Sequence, residues 1–168
     1  MRSLITAILI LAAAATARAE DAQQSHFLPD TGAIFPVATA RDLAEQCSRE
    51  APENIEGTWT PSQKQIAALE PKLEELLAQS LAQKKQRGDR YVPAVSDYYR
   101  QYAGYVIGGR KIIYINGFDK RIVQSSAEHG LDWHVTPVRV CDGGNAFFGV
   151  EYDVEVKRFG KLAFNGLA

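Results

Sequence analysis

Three acidic side chains share one face of the clearest strand pattern in the chain. Glu151, Asp153 and Glu155 alternate with apolar residues between positions 148 and 157. Side chains two apart on a strand lie roughly 6.6–6.8 Å apart, and a carboxylate row could supply a general acid and a base for hydrolysis. Alternating acids are also ordinary on the solvated face of an antiparallel sheet, beside Lys or Arg partners. We favour this second interpretation.

Two histidines form another candidate group. His129 and His134 lie five residues apart, with Asp132 and Asp142 nearby. Five is not the spacing that places two histidines on one helix face, and no ligand motif is complete. The sequence therefore predicts no metal site and no cofactor. It also lacks the Gly-x-Ser-x-Gly, Ser-x-x-Lys and Cys-x-x-Cys motifs.

The chain contains two cysteines, Cys47 and Cys141. An even number of cysteines favours a disulfide in a protein exported to an oxidising compartment, and the N-terminal residues indicate export. The bond would close a loop of 94 residues, and the chain-entropy account assigns such a loop about 4–5 kcal/mol. The alternative is a thiol nucleophile at Cys141, near His134.

Tyrosines are concentrated between positions 98 and 107 and fall on both faces of the predicted strand. If helices cover one sheet face, some of these rings stay accessible, and an exposed Tyr beside Arg suits recognition. We expect the exposed face to carry Tyr98, Arg100 and Tyr102, which are the ligand-binding candidates. The alternative is that Tyr serves here only as a good strand former.

The N-terminus has the three parts of a secretory signal peptide. A basic start is followed by an apolar run over residues 4–15 and by Ala17-Arg18-Ala19. The run is shorter than the roughly 20 residues that a membrane span needs. We therefore expect export to the periplasm or the outside, with residues 1–19 as signal peptide, 20–38 as an N-terminal arm and 39–168 as one domain.

Charge limits the class of partner. Removal of residues 1–19 leaves 17 of 19 basic residues and all 20 acidic residues, a net charge of −3. Nucleic acids and anionic membranes attract basic surfaces, so neither is an expected partner. No further apolar run in the mature chain is long enough to span a membrane.

Helices come first in the chain. Thr39 precedes a short predicted helix over residues 40–49. Thr60, with Pro61 and Gln63 after it, predicts the start of a long helix by a capping box. Spacings of three and four then define one apolar stripe, made of Ile66, Leu69, Leu73, Leu76, Leu77 and Leu81. The stripe keeps its phase across Pro71, which predicts a kink rather than a break.

Strands follow the helices. The predicted strands cover residues 98–107, 111–115, 133–141, 148–157 and 161–165, with turns at 108–109, 142–145 and 158–160, and Gly104 and Gly149 are interpreted as bends or bulges. This order indicates an α+β fold in which helices pack on one face of a curled antiparallel sheet of four to five strands. The arrangement resembles that of cystatin-like folds in element order.

These observations favour a non-enzymatic, exported binding domain. Its expected ligand is a protein or a cell-envelope component, recognised through the aromatic sheet face. A small envelope hydrolase using the strand carboxylates or the His129/His134 region is the alternative, and a structural envelope component is a third possibility. A concave pocket that holds several of these groups within hydrogen-bonding reach would distinguish an enzyme from a binding domain.

The signal sequence yields the first prediction. N-terminal sequencing of the protein isolated from its native cells should begin at or very near Glu20, because cleavage follows the small-x-small site. A major soluble cytoplasmic species that retains residues 1–19 would contradict export and remove the compartment argument for the disulfide.

Overall fold

The structure is a computed structural model that describes residues 26–28, 31–122 and 132–167. The predicted signal peptide and His129 lie outside the described residues. The described chain forms an α+β fold in which a long helix packs on a mixed sheet.

The sheet contains eight strands within the described residues. They are β1 His26–Leu28, β2 Gly32–Ile34, β3 Gly57–Trp59, β4 Tyr98–Ile107, β5 Arg110–Asp119, β6 Phe147–Asp153, β7 Arg158–Phe159 and β8 Ala163–Phe164. The spatial order of the strands is β1-β2-β4-β5-β6-β7, while β3 pairs with β4 and β8 pairs with β6. All neighbours are antiparallel except β2 and β4, which are parallel.

The prediction of four to five antiparallel strands is therefore wrong. Two of the extra strands, β1 and β2, lie in the segment predicted as an arm, and β2 pairs with β4. The long β4–β5 hairpin is confirmed, and its Gly108-Gly109 turn has positive φ at both glycines. Both glycine N–H groups donate to the carboxylate of Glu56, at 3.1 and 3.0 Å.

The predicted strand over residues 133–141 is also wrong, because this segment has no strand structure. Its backbone bonds to amide side chains instead of to a neighbouring strand. The Gln101 side chain donates to the carbonyls of Trp133 and Thr136 at 2.6 and 2.8 Å and accepts from the Val138 N–H. Backbone polar groups need partners, and here buried side chains replace the strand ladder.

Two predicted turns are displaced. Residues 142–145 do not form a hairpin turn; a 3₁₀ turn at Gly144–Ala146 leads into β6. The turn predicted at 158–160 lies earlier, at residues 154–157, where Lys157 has a positive φ of 54°. The Asp153 carboxylate accepts from the N–H groups of Glu155 and Val156 and thereby favours the earlier turn.

The helices differ from prediction mainly at their ends. Helix α1 covers only Ala40–Leu43 instead of residues 40–49, and helix α2 covers Gln63–Gln86. The N-cap of α2 is Ser62, not Thr60, and Ser62 forms the capping box with Gln65. Ser, like Thr, is a preferred N-cap, so the later pair satisfies the same rule. Pro71 lies inside this single helix.

The apolar stripe of α2 packs on one sheet face, as predicted. Its residues Ile66, Leu69, Leu73, Leu77 and Leu81 are buried, and Leu76 is half-buried. They share a core with Phe148, Val150 and Tyr152 of β6 and with side chains of β4 and β5. Val154 packs at its edge. Each element has one apolar side, and the two sides cover one another.

A second core covers the opposite sheet face, although the sequence predicts that one face of the sheet is accessible to solvent. Its members come from the β2–α1 segment, from β4, β5 and β6, and from the segment after residue 132. They include Phe35, Leu43, Tyr105, Tyr114, Phe118 and Trp133. The sheet is therefore buried on both faces over most of its width.

The predicted disulfide between Cys47 and Cys141 is confirmed, with a Cα–Cα distance of 5.0 Å. It links the two segments that cover the second face. The described chain has no free cysteine, which contradicts the alternative of a thiol nucleophile at Cys141.

Among the residues that the structure describes, no helix is both long and apolar enough to span a bilayer.

The first core leads to a stability prediction. Leu73 is fully buried at the centre of the α2 stripe, so Leu73→Ala should lower the free energy of unfolding by about 2–5 kcal/mol. Lys72→Ala, at an exposed position next to it, should change that energy by less than about 0.5 kcal/mol. Denaturant unfolding of both variants measures the difference, and equal effects would show that the helix does not dock through this stripe.

Candidate functional site

The three ligand-binding candidates are buried, so the predicted accessible tyrosine face is wrong. Tyr98, Arg100 and Tyr102 expose 1%, 3% and 1% of their surface. The Tyr98 hydroxyl donates to the backbone carbonyl of Asn145. The Tyr102 hydroxyl donates to Glu70 at 2.6 Å, and Arg100 forms an ion pair with the same carboxylate at 3.2 Å. This face contacts helix α2.

The tyrosines of the opposite face pack against the second core, with Tyr105 fully buried and Tyr99 half-buried. The Tyr99 ring stacks on Trp133, with ring centres 4.6 Å apart, and the Tyr105 hydroxyl donates to the carbonyl of Ala40 at 2.5 Å. Burial raises the pKa of Tyr98, Tyr102 and Tyr105 far above the usual tyrosine value. The tyrosine-rich strand is thus the centre of a sheet covered on both sides.

The predicted row of three carboxylates reduces to two positions on the strand. Glu155 lies exposed in the turn after β6. Asp153 forms an ion pair with Arg110 and holds the turn through two backbone N–H groups. Asp153 is therefore structural, and only Glu151 remains as a candidate for binding or chemistry.

The described part of the histidine region, from Asp132 onward, shows no converging ligand set. His134 Nδ1 lies 2.8 Å from Asp132 Oδ1, and the imidazole ring of His134 packs on Trp133. Hydrogen bonds from the backbone N–H and the side chain of His134 lower the pKa of Asp132. Among the residues that the structure describes, no group of three or more His, Cys, Asp or Glu could hold a metal ion.

Glu151 lies in a depression of about 160 Å³ at the outer edge of the sheet. Its lining residues are Glu50, Tyr114, Gly149, Val150, Glu151, Gly160 and Lys161. We call it the bulge depression, because an irregularity of strand pairing creates it.

The irregularity is one extra residue in the outer strand. Gly149 of β6 pairs with Ala163 of β8, and Tyr152 of β6 pairs with Phe159 of β7. The two paired positions are three residues apart on β6 but four residues apart on the outer strand that β7 and β8 form. Such an extra residue is a β-bulge, which bends the strand and redirects side chains. Here the bulge separates β7 from β8, and Gly160 and Lys161 lie in it.

Glu151 has no side-chain hydrogen bond or ion pair with any described residue, although it is only partly exposed. Burial raises the pKa of its carboxyl above the ordinary value of 4.5, and no cation offsets this effect. The nearby ammonium of Lys161 lies 3.3 Å from both carboxylate oxygens of Glu50. A carboxyl whose pKa burial shifts in this way occurs more often at functional sites than elsewhere in a protein.

The side of the depression next to Glu151 is built around Arg49. The Arg49 Nε donates to the Tyr114 hydroxyl at 3.3 Å, and its terminal nitrogens donate to the side-chain oxygens of Asn165 and Asn116. All three partners are neutral. Burial, as the largest cause, raises the pKa of Tyr114, and Arg49 acts in the opposite direction.

Gly149 allows this arrangement. A Cβ at position 149 would lie 2.6 Å from both Arg49 Nε and the Tyr114 hydroxyl oxygen. Any side chain there would displace the guanidinium from the sheet. Gly149 thus marks a close approach of Arg49, whereas the bulge lies on the neighbouring strand.

A second depression, of about 240 Å³, lies near Tyr91, Asp119 and Arg121. Asp119 is buried and accepts from the Tyr91 hydroxyl and from two nitrogens of Arg121. Burial tends to raise the pKa of Asp119, but these hydrogen bonds outweigh it and lower that pKa. Burial and Asp119 raise the pKa of Tyr91 to about 12. These groups satisfy one another, so their cluster is structural.

The sequence pattern indicates Glu151, with Lys161 as a possible cross-strand neighbour, but gives no sign that Glu50 and Tyr114 lie beside it. Arg49 and Asn116 carried no local pattern that could have revealed them. The one available signal was Gly149, a glycine inside a strand, which indicates a bulge or a close backbone approach.

No family model, curated protein or solved structure matches the chain. The geometry of the bulge depression therefore carries the functional argument.

The unpartnered carboxylate leads to a stability prediction. Because the pKa of Glu151 is raised in the fold, protonation stabilises the folded protein and ionisation removes that contribution as the pH rises. Glu151→Gln should therefore melt at a higher temperature than the wild type at pH 7. The difference should disappear below about pH 4, where the wild-type carboxyl becomes protonated.

Glu155→Gln is the matched control, because it removes the same charge from an exposed turn. It should leave the melting temperature nearly unchanged at both pH values. A lower melting temperature for Glu151→Gln at pH 7 would show that the carboxylate has a stabilising partner.

Proposed function

We propose that the protein is an exported binding domain that recognises a protein or cell-envelope ligand through the bulge depression. The observation that carries this proposal is the Glu151 carboxylate, which is partly buried in a concave surface without a partner. Burial disfavours the ionised form of such an acid, and a cationic ligand would offset that cost. The buried tyrosines take no part in the proposed binding.

Export is supported by two independent features. The N-terminal sequence has the anatomy of a signal peptide, and a Cys47–Cys141 disulfide is typical of oxidising compartments. The cystatin-like arrangement is a resemblance in element order alone and carries no part of the functional proposal.

A second candidate function is hydrolysis in the same depression. It is favoured by one observation, the raised pKa of Glu151 beside a second carboxyl, Glu50. A general acid needs a raised pKa. The Glu50 carboxylate, however, is exposed and pairs with Lys161 at 3.3 Å, so it is not a second buried acid beside Glu151. Binding is therefore the better supported function.

Capture from an envelope extract of the native cells tests the proposal. Gly160→Gln should fill the mouth of the depression and thereby abolish capture. A Cβ at position 160 would lie 3.7 Å from the carbonyl oxygen of Glu151 and 3.9 Å from its Cβ. This spacing is ordinary contact, so the fold should tolerate the change. Ala78→Gln, on the exposed side of α2, is the control and should bind like the wild type.

The readout is mass spectrometric identification of what each immobilised variant retains, with melting temperatures to confirm folding. Equal capture by Gly160→Gln and wild type would contradict binding at this site. Hydrolysis of a retained ligand that stops in Glu151→Gln and Glu50→Gln would favour the second candidate instead.

A further inference from the structure

We propose that the bulge depression accepts a primary alkylammonium group, with the Glu151 carboxylate as its counter-ion. The inference rests on the proposed function and adds the chemical class of the ligand. The group could belong to a lysine side chain of a partner protein or to a free polyamine.

Charge is the first argument. Two carboxyls among the described residues line the depression: Glu50 pairs with Lys161 in an exposed contact at 3.3 Å, and Glu151 has no cationic partner. Arg49 directs its donors to Tyr114, Asn165 and Asn116. An anionic ligand would meet two carboxylates at the lining, whereas a cation would supply the partner that Glu151 lacks.

The hydrogen-bonding capacity of Tyr114 is the second argument. Tyr114 is only 1% exposed, yet it lines the depression. Its hydroxyl accepts one hydrogen bond, from Arg49, and forms no other with the described residues. A hydroxyl oxygen has a second lone pair, and an ammonium carries three N–H donors. Tyr114 pairs with Glu151 across β5 and β6, so the remaining lone pair of its hydroxyl can serve as a second acceptor for an ammonium at Glu151.

The lining also separates an alkylammonium from a sugar. Sugar sites commonly present an exposed aromatic ring, whereas the ring of Tyr114 is buried and no other aromatic residue lines the depression. Gly149, Val150 and Gly160 present backbone and small apolar surface. Such walls suit an unbranched methylene chain better than a ring of hydroxyl groups.

Three probes of similar size and different charge test the class of ligand. n-Butylammonium, butyramide and butyrate would be titrated into the isotopically labelled mature protein, with the amide signals of Gly149, Glu151 and Gly160 as NMR readout. We expect saturable shifts with n-butylammonium alone, at a dissociation constant on the order of 1 mM. Glu151→Gln should weaken this binding by about tenfold or more, and the exposed-charge control Glu155→Gln should not.

A tethered ammonium provides a second test. Because a Cβ at position 160 would lie 3.9 Å from the Cβ of Glu151, a lysine there can reach the carboxylate. Gly160→Lys should abolish the n-butylammonium response and melt at a higher temperature than Gly160→Gln. Equal melting temperatures of the two variants would overturn the role of Glu151 as counter-ion.

Two further probes distinguish the sources of the group. Tighter binding of N-acetyl-lysine methylamide than of n-butylammonium supports a protein side chain, and tighter binding of spermidine supports a free polyamine. Equal binding of butyramide and n-butylammonium would overturn the ammonium assignment while leaving the depression as a binding site. Absence of any shift, together with normal capture by Gly160→Gln, would overturn the proposed function itself.

Discussion

The attachment of Arg49 to the sheet is the interaction on which the second face of the fold depends. Its guanidinium joins Tyr114 and Asn116 of β5 to Asn165 near the C-terminus. Asn116 in turn donates to the Gln101 side chain and to the Val138 carbonyl, both at 2.9 Å. The segments around Cys47 and Cys141 cover the second sheet face, and the disulfide between these two cysteines links them. Cys47 lies two residues before Arg49. Covalent and polar links thus hold a layer that contains little regular structure of its own, and a polar network of this kind favours one arrangement.

The same attachment also forms the candidate site. Glu50 follows Arg49 directly, so fixing the guanidinium places Glu50 at the rim, where it meets Lys161 of the bulge. Arg49 simultaneously occupies one lone pair of the Tyr114 hydroxyl and uses the space left by Gly149. Because Glu50 lies at the rim, Lys161 pairs with Glu50 and not with Glu151. A depression that retains one free carboxylate is a consequence of how the covering layer is anchored.

The parts of the fold that sequence could predict are those set by local periodicity and pairing. The α2 stripe, the β4–β5 hairpin and the cysteine pair each follow from a short pattern or a count. The second core could not be predicted, because it depends on buried amides such as Gln101 and Asn116 that bond to an irregular segment. That segment contains Val138 and Val140 and resembles a strand in composition. Tyrosines on both faces of β4 were the available sign that both faces are covered, and they were interpreted as a binding surface. Glu151 was among the candidates, but its isolation follows from the bulge opposite β6, which is visible only in the pairing register of β6 with β7 and β8.

The contrast among three acids near or within the sheet gives the isolation of Glu151 its meaning. Asp153 has Arg110 and two backbone N–H groups, and Asp119 has Arg121 and Tyr91. Hydrogen bonds to Asp119 outweigh burial and lower its pKa, whereas burial of Glu151 acts alone and raises its pKa. Among the described residues, the fold therefore supplies partners to Asp153 and Asp119 and leaves Glu151, in a concave surface, without one. Locally unfavourable groups are expected chiefly at functional sites, so the raised pKa of Glu151 supports the proposal that a ligand supplies the partner.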